Sequence, residues 1–107
     1  MTARTLIHLP SPVPRGELVQ LRLTIGHPME VGLRWQGDGN MTPRNILTRF
    51  ECRLDGTPVF TADLYQAVAA NPYIAFWLRA ERSGLLEFTW SGDYGFRHQE
   101  HRPFEVL

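Results

Sequence analysis

Between Tyr73 and Ala80 the chain reads Tyr-Ile-Ala-Phe-Trp-Leu-Arg-Ala, and both of its alternating faces are apolar. Ile74, Phe76, Leu78 and Ala80 fall on one face of an extended strand. Tyr73, Ala75 and Trp77 fall on the other, with Arg79 the one charge. The run that follows the turn at Arg82-Ser83-Gly84 is different. In Leu85–Ser91, Leu86, Phe88 and Trp90 share a face while Leu85, Glu87 and Thr89 share the opposite one, so this strand is half wet. A strand with two apolar faces needs two coverings. A two-layer domain of this size supplies one; the other has to be a loop or another protein. Tyr73, Ala75 and Trp77 are therefore the expected partner interface.

Size and composition narrow the fold. The 107 residues are expected to form one domain, since halves would bury poor cores. Eight prolines and nine glycines suit short strands and turns better than long helices. All eleven basic residues are arginine, eleven acids balance them, and no basic run is interleaved with aromatics. Nucleic-acid binding is not expected. No stretch approaches the roughly 18 apolar residues of a membrane span, so no membrane role is expected. A single cysteine, Cys52, excludes an intrachain disulfide and an all-cysteine metal site. The first ten residues offer only Leu6, Ile7 and Leu9 as apolar bulk, short of the roughly 7–15 residues of a secretory h-region. The chain is expected to carry no export signal of its own.

In chain order, Arg4–Leu9 reads as a short edge strand stopped by Pro10, Pro12 and Pro14, because proline cannot donate to a ladder. Glu17–Ile25 has the clearest two-residue period, with Val19, Leu21, Leu23 and Ile25 on one face. Val31–Trp35 reads as a further strand with Val31, Leu33 and Trp35 on one side, and Gln36–Asn45 as a glycine-rich loop. Ile46–Leu54 is ambiguous: Leu47, Phe50 and Leu54 fit helical spacing, whereas Ile46, Phe50, Cys52 and Leu54 fit a strand interrupted at Thr48. Asp55-Gly56 decides for the strand, since an Asp-Gly pair between extended runs marks a hairpin into Val59–Asp63. The alanine-rich Ala62–Asn71 predicts a short helical turn between layers, ended by Pro72. Phe96–His101 and Phe104–Leu107 predict a last strand bent or bulged at Pro103. Seven or eight strands with turns about every ten residues describe an all-β, antiparallel, immunoglobulin-like β-sandwich.

Few residues point to chemistry. His98 and His101 have zinc-motif spacing only on a helix; on a strand, positions three apart point to opposite faces. His27 and His8 have no evident co-ligand. Gly37-Asp38-Gly39-Asn40 lacks the further acidic ligands of a calcium loop. No metal or other cofactor is expected. Cys52 shares a face with Phe50 and Leu54 and reads as a buried packing residue, with Arg49 and Arg53 on the opposite face. There is no G-x-S-x-G, phosphate loop or nucleotide fingerprint, and no catalytic residue is assigned.

The ordered short motifs say more. Arg15-Gly-Glu17, His27-Pro-Met-Glu30, Pro43-Arg44, Asp55-Gly56, Ala62-Asp-Leu64 and Ala69-Ala-Asn-Pro-Tyr73 with Phe76 run in sequence across the chain. Ser83-Gly84 with Phe88, Trp90, Gly92-Asp93 and Gly95-Phe96 completes the set. Together they resemble the SoxZ family of the bacterial sulfur-oxidising system. Val31, the bulky Trp77-Leu78 and the absence of lysine depart from the family pattern. The resemblance implies an immunoglobulin-like sandwich that pairs as a heterodimer with SoxY in the carrier complex of thiosulfate oxidation. It implies a non-enzymatic role, because the sulfur intermediates ride on a cysteine in the glycine-rich C-terminal arm of SoxY. This chain ends His101-Arg-Pro-Phe-Glu-Val-Leu107, without glycine or cysteine, and matches the supporting subunit. The resemblance also implies transient contact with the cycle's enzymes, and a periplasmic location reached by export with a signal-bearing partner. A second class of function is a ligand-binding sandwich in which Trp35, Trp77 and Tyr94 stack on a planar ligand.

Overall fold

Hydrophobic alternation turns into seven strands. The computed structural model describes residues 3–32 and 34–107. The strands are β1 (Thr5–His8), β2 (Leu18–Ile25), β3 (Leu47–Leu54), β4 (Thr57–Asp63), β5 (Tyr73–Arg79), β6 (Gly84–Gly92) and β7 (Arg97–Phe104). They form a three-stranded sheet in the order β1-β2-β5 and a four-stranded sheet in the order β4-β3-β6-β7. Every pairing is antiparallel. The two sheets pack face to face as an immunoglobulin-like sandwich, which is the expected fold.

The inner rows are those the two-residue period selects. Val19, Leu21, Leu23 and Ile25 of β2 and Ile74 and Phe76 of β5 are buried against Phe50, Cys52 and Leu54 of β3 and Leu86, Phe88 and Trp90 of β6. Phe50 is the hub: its ring lies 5.1 Å from Trp90, 6.1 Å from Phe76, 6.2 Å from Phe60 and 6.5 Å from Phe88. Phe76 and Phe60 stack at 4.3 Å and 3°, closing the side of the sandwich where β5 faces β4. The opposite side, where β1 meets β7, is polar. The Ala3 amide donates to His98 Nδ1 (3.3 Å), so Nε2 carries the ring proton and donates to Glu100 Oε2 (2.7 Å). Thr5 Oγ1 also donates to Glu100 Oε2 (3.0 Å).

Turn chemistry matches the backbone. Asp55 (φ 48°) and Gly56 (φ 84°) both have positive φ, as a two-residue type I′ hairpin turn requires, and they join β3 to β4. Asp55 is stapled to the next turn: its carboxylate accepts from the Leu85 amide (2.8 Å) and from Arg82 Nη1 (3.0 Å). Gly92 permits close approach, since a Cβ there would lie 2.5 Å from the Ile46 carbonyl oxygen. A register shift between Leu47 and Arg49 absorbs Thr48 as the extra residue and lets Leu47 and Phe50 both point inward.

Three expectations are corrected. Ala62–Asn71 holds no helical turn; β4 runs to Asp63, and one hydrogen-bonded turn, Val68 amide to Tyr65 carbonyl (3.0 Å), follows. Among the described residues there is no α-helix. Alanine propensity cannot nucleate a helix in so short a span without a face to bury. Val31–Trp35 is not a strand of either sheet. Glu30 and Asn45 instead exchange backbone hydrogen bonds (2.8 and 2.7 Å), and Trp35 bridges Met41. The two flanks of this segment thus pair with each other as an irregular ribbon that reverses between Trp35 and Met41, where the Gln36 amide donates to the Asn40 carbonyl (2.8 Å) and Gly39 has a φ of 89°; Leu33, expected on one side with Val31 and Trp35, lies outside the described residues. The ribbon is exposed from Arg34 to Met41, and the protein is elongated, 59 × 20 × 19 Å. Finally, β7 runs through Pro103 without a bulge, pairing in register from Ser91↔Arg97 to Gly84↔Phe104. As the edge strand of its sheet, it tolerates a residue with no amide hydrogen.

Cys52 is fully buried, and burial, then the nearby Glu51 charge, pushes its thiol up to about 12. Arg49 and Arg53 are on the wet face, where both pair with Glu51 (3.5 and 2.6 Å). Cys52→Ala is expected to cost only about 1–2 kcal/mol of packing. Thermal melting checks the packing cost, and the wild-type thiol should resist alkylation in the folded protein; ready labelling of Cys52 under native conditions, seen by mass spectrometry, would contradict this.

His27 is the one buried polar side chain among the described residues. Its Nδ1 accepts from the Met29 amide (3.0 Å) and its ring meets Phe96 edge-on at 5.2 Å. Burial lowers its pKa below the ordinary 6.5, against a smaller raising effect of Asp93. A neutral imidazole is thus part of the folded state. Its contribution is complete above pH 6.5 and is lost as the pH falls through the lower folded value. Thermal melts from pH 7 to pH 5 should show falling stability, with a flatter profile in His27→Asn, whose Oδ1 can replace Nδ1 as acceptor.

Candidate partner-binding face

With Phe76 and Ile74 turned inward, the odd-numbered residues of β5 must face out, and the register brings them beside the even-numbered residues of β2 and β1. Tyr73 pairs with Thr24 and, beyond it, Leu6. Ala75 pairs with Arg22 and, beyond it, His8. Trp77 pairs with Gln20, and Arg79 with Leu18. Tyr73 is 61% exposed, Trp77 63% and Leu6 75%, so neither the ribbon nor any other described segment covers this face. Leu6 is a ridge between two shallow clefts. One is lined by Ile7, His8, Arg22, Thr24 and Tyr73, and the other by Arg4, Thr5, Thr24, Gly26 and Asn71.

The face combines aromatic and aliphatic positions at Tyr73, Ala75, Trp77, Leu6 and Leu18 with polar positions along the middle strand. Arg79 is tied down at the far end, where its Nη1 donates to the Gly16 carbonyl (2.8 Å). Large aromatics beside an arginine are the composition of binding surfaces whose central residues dominate the affinity. Sequence reasoning found the β5 row but missed Leu6 and Leu18. Each is the lone apolar residue on the outer face of its own strand, and only the register lines it up with Tyr73 or Arg79.

The other residues weighed from sequence do not converge. His98 points inward, its ring 5.9 Å from Trp90, while His101 points outward to Glu87 (3.2 Å), as strand parity requires. Asp38 accepts from the Asn40 amide (3.0 Å) within its own turn. Among the described residues, no three His, Cys, Asp or Glu side chains gather at one point. Trp35 (68% exposed) belongs to the ribbon, Trp77 to the three-stranded sheet, and Tyr94 to the turn between β6 and β7. The cleft at that turn is lined by Tyr94 with Asn45, Asp93 and Arg97 but by neither tryptophan, so the three aromatics do not form a stacking site.

The end of the sandwich that carries the ribbon is held by charge. Arg44 donates twice to Asp93 (2.9 and 2.8 Å), and the Ile46 amide donates to the same carboxylate (3.1 Å). The Arg44 guanidinium, then the Ile46 amide, hold the Asp93 carboxyl below the usual carboxylate range. This pair positions the ribbon against the β6–β7 turn; both of its oxygens are engaged within the chain.

Similar proteins bear on the fold and the family. Superoxide reductase (neelaredoxin) from Ignicoccus hospitalis superposes with a TM-score of 0.75 at 17% identity, over 98% of this chain and 82% of that one. The sulfur carrier protein SoxY from Chlorobium limicola f thiosulfatophilum superposes with a TM-score of 0.65 at 14% identity, over 96% and 78%. A putative superoxide reductase from Thermotoga maritima gives 0.63 at 12% identity, over 99% and 86%. At such identities the likeness is one of fold. No curated protein matches the chain. The family model described as "Sulphur oxidation protein SoxZ" matches residues 7–102, and it covers the β5 row, the Asp55-Gly56 turn and the Arg44–Asp93 pair alike: this chain belongs to the SoxZ family and to the Sox system of sulfur oxidation.

Proposed function

We propose that this chain is the non-catalytic supporting subunit of a sulfur-carrier heterodimer, and that it meets its SoxY-like partner through the outer face of β1-β2-β5. The observation that carries the reading is the uncovered row of Tyr73, Ala75 and Trp77, two of them large aromatics more than half exposed, in a chain of the SoxZ family. An exposed aromatic row on a folded domain is the usual mark of a partner site. In this reading the partner carries the sulfur intermediates on its C-terminal cysteine arm. The chain's own thiol supports that division of labour, being enclosed in the core and protonated at any physiological pH. The supporting subunit stabilises the carrier and helps present it to the enzymes of thiosulfate oxidation. No cofactor or membrane contact is part of the proposal.

Trp77→Ala tests the interface. The side chain is outward and mostly exposed, so the variant should melt close to the wild type while binding the sulfur-carrying subunit about 2 kcal/mol or more weaker. Melting temperature and affinity are measured on the same preparation. A variant that loses stability yet binds at full affinity when folded would remove Trp77 from the interface.

A periplasmic location, reached by export with a signal-bearing partner, is part of this proposal, and membership of the SoxZ family is what supports it. Expressed alone, the chain should fractionate with the cytoplasm, and it should reach the periplasm when the signal-bearing partner is co-expressed. Appreciable periplasmic protein without the partner would refute joint export.

A further inference from the structure

A sandwich of two open sheets has four edges, and three of them here are blunted. β1 is four residues long and tied to β7 through Ala3–His98 and Thr5–Glu100. β4 carries Pro58 and lies against a register shift between Cys52 and Arg53. β7 carries Pro103. Short length, proline and bulges are the devices by which natural sheets avoid edge pairing. β5 has none of them: seven residues, no proline, an unbroken register against β2 and, among the described residues, no neighbour on its other side.

The direction of its backbone groups follows from the ladder. The Ile25 amide donates to the Pro72 carbonyl (3.3 Å) at one end and the Ala80 amide to the Glu17 carbonyl (2.8 Å) at the other. Hydrogen-bonded and non-hydrogen-bonded pairs alternate in an antiparallel ladder. The pairs that exchange bonds with β2 are therefore Leu23↔Ile74, Leu21↔Phe76 and Val19↔Leu78. The N–H and C=O groups of Tyr73, Ala75, Trp77 and Arg79 point away from the sheet. The residues whose side chains form the exposed row also present the free backbone edge.

We infer that β5 pairs antiparallel with β5 of a second copy of this chain, about a two-fold axis at Phe76. The occupant is identified by self-complementarity. With Phe76 opposite Phe76 of the other copy, all four outward-pointing residues meet outward-pointing residues: Tyr73 with Arg79 and Ala75 with Trp77, each twice. The smallest side chain of the row stands opposite the largest, and the guanidinium stands opposite an aromatic ring. The second is a favourable cation–π pairing, and the first leaves room for the indole beside a methyl group. Shifting the centre by one residue along the outward row, to Ala75 or Trp77, places Ala75 opposite Ala75 or Trp77 opposite Trp77 and leaves outward groups unpaired at the strand ends. The two-fold is closed, so pairing stops at the dimer and consumes the one unprotected edge. A single seven-residue strand pair lies at the small end of protein interfaces, so the dimer is weak and reversible. Since the same row is proposed to meet the sulfur-carrying subunit, the homodimer is the resting form of the chain without that subunit.

The test uses the purified chain alone. Sedimentation velocity from micromolar to millimolar concentration should show a monomer–dimer equilibrium without larger species. Amide exchange followed by NMR supplies the parity signature. The amides of Ile74, Phe76 and Leu78 should be protected at every concentration, those of Ala75 and Trp77 only where the dimer is populated. Ala75→Pro deletes an outward amide and no bond to β2, and should weaken self-association at least about tenfold. Trp77→Lys, a charge on the edge, should do the same if the proline variant fails to fold. A chain that remains monomeric throughout, a dimer whose Ala75 and Trp77 amides stay unprotected, or a folded variant that dimerises like the wild type would overturn the inference. Self-association failing while the sulfur-carrying subunit still binds removes this inference alone; the reverse removes the proposed function alone.

Discussion

Phe76 sits between Phe50 and Phe60, 6.1 Å from one ring and stacked at 4.3 Å on the other, and this contact sets the parity of β5. With Phe76 inward, Ile74 closes over the core beside it, and Tyr73, Ala75 and Trp77 have no inner position to occupy. A slip of one residue would exchange the two rows and expose Phe76. Because both rows are apolar, hydrophobic burial alone discriminates weakly between the two registers. The discrimination comes from shape: Phe50 and Phe60 present flat rings to a phenylalanine, and the adjoining inner positions hold Leu21 and Leu23. The ladder with β2 then carries the same parity into the backbone, so the outward side chains and the outward amides belong to the same residues.

The two sides of the sandwich close differently, and the difference decides where a partner can come. At β1 and β7 the sheets are tied by directional hydrogen bonds through His98, Glu100 and Thr5, which leave few groups unsatisfied. At β4 and β5 the closure is a stacked aromatic pair, which satisfies the apolar inner rows but uses none of the edge amides of β5. Unused backbone groups and uncovered aromatics thus lie together on one strand. In the proposed role of supporting subunit, such a strand keeps an association face available on a stable fold. The fold tolerates it because its other edges are short, bulged or proline-bearing, which limits indiscriminate pairing.

Much of this was legible in the residues. Strict alternation in Glu17–Ile25 and Leu85–Ser91, the Asp-Gly turn after Leu54, and the parity of Cys52 with Phe50 and Leu54 are local signals, and local signals are what periodicity reports. The errors share one cause. Val31–Trp35 alternates as a strand does, but alternation cannot tell a sheet strand from a ribbon that pairs with itself, because the partner lies elsewhere in the chain. Ala62–Asn71 has helical composition but no apolar face to bury. Pro103 was expected to bend or bulge its strand, and whether a proline fits in register depends on whether that strand is an edge, a property of the whole sheet.

By itself the sequence determined the all-β class, the inward rows, the inert cysteine and a strand apolar on both faces, each set by side-chain chemistry over a few neighbouring residues. The set of short motifs in order carried the family as well. Only the tertiary structure decided which face of that strand is wet, that Leu6 and Leu18 flank it, and that its backbone groups on the wet side are unpaired. Those facts depend on register and strand order. Contacts between residues tens of positions apart set both, and no local pattern encodes which strand will be left at the edge.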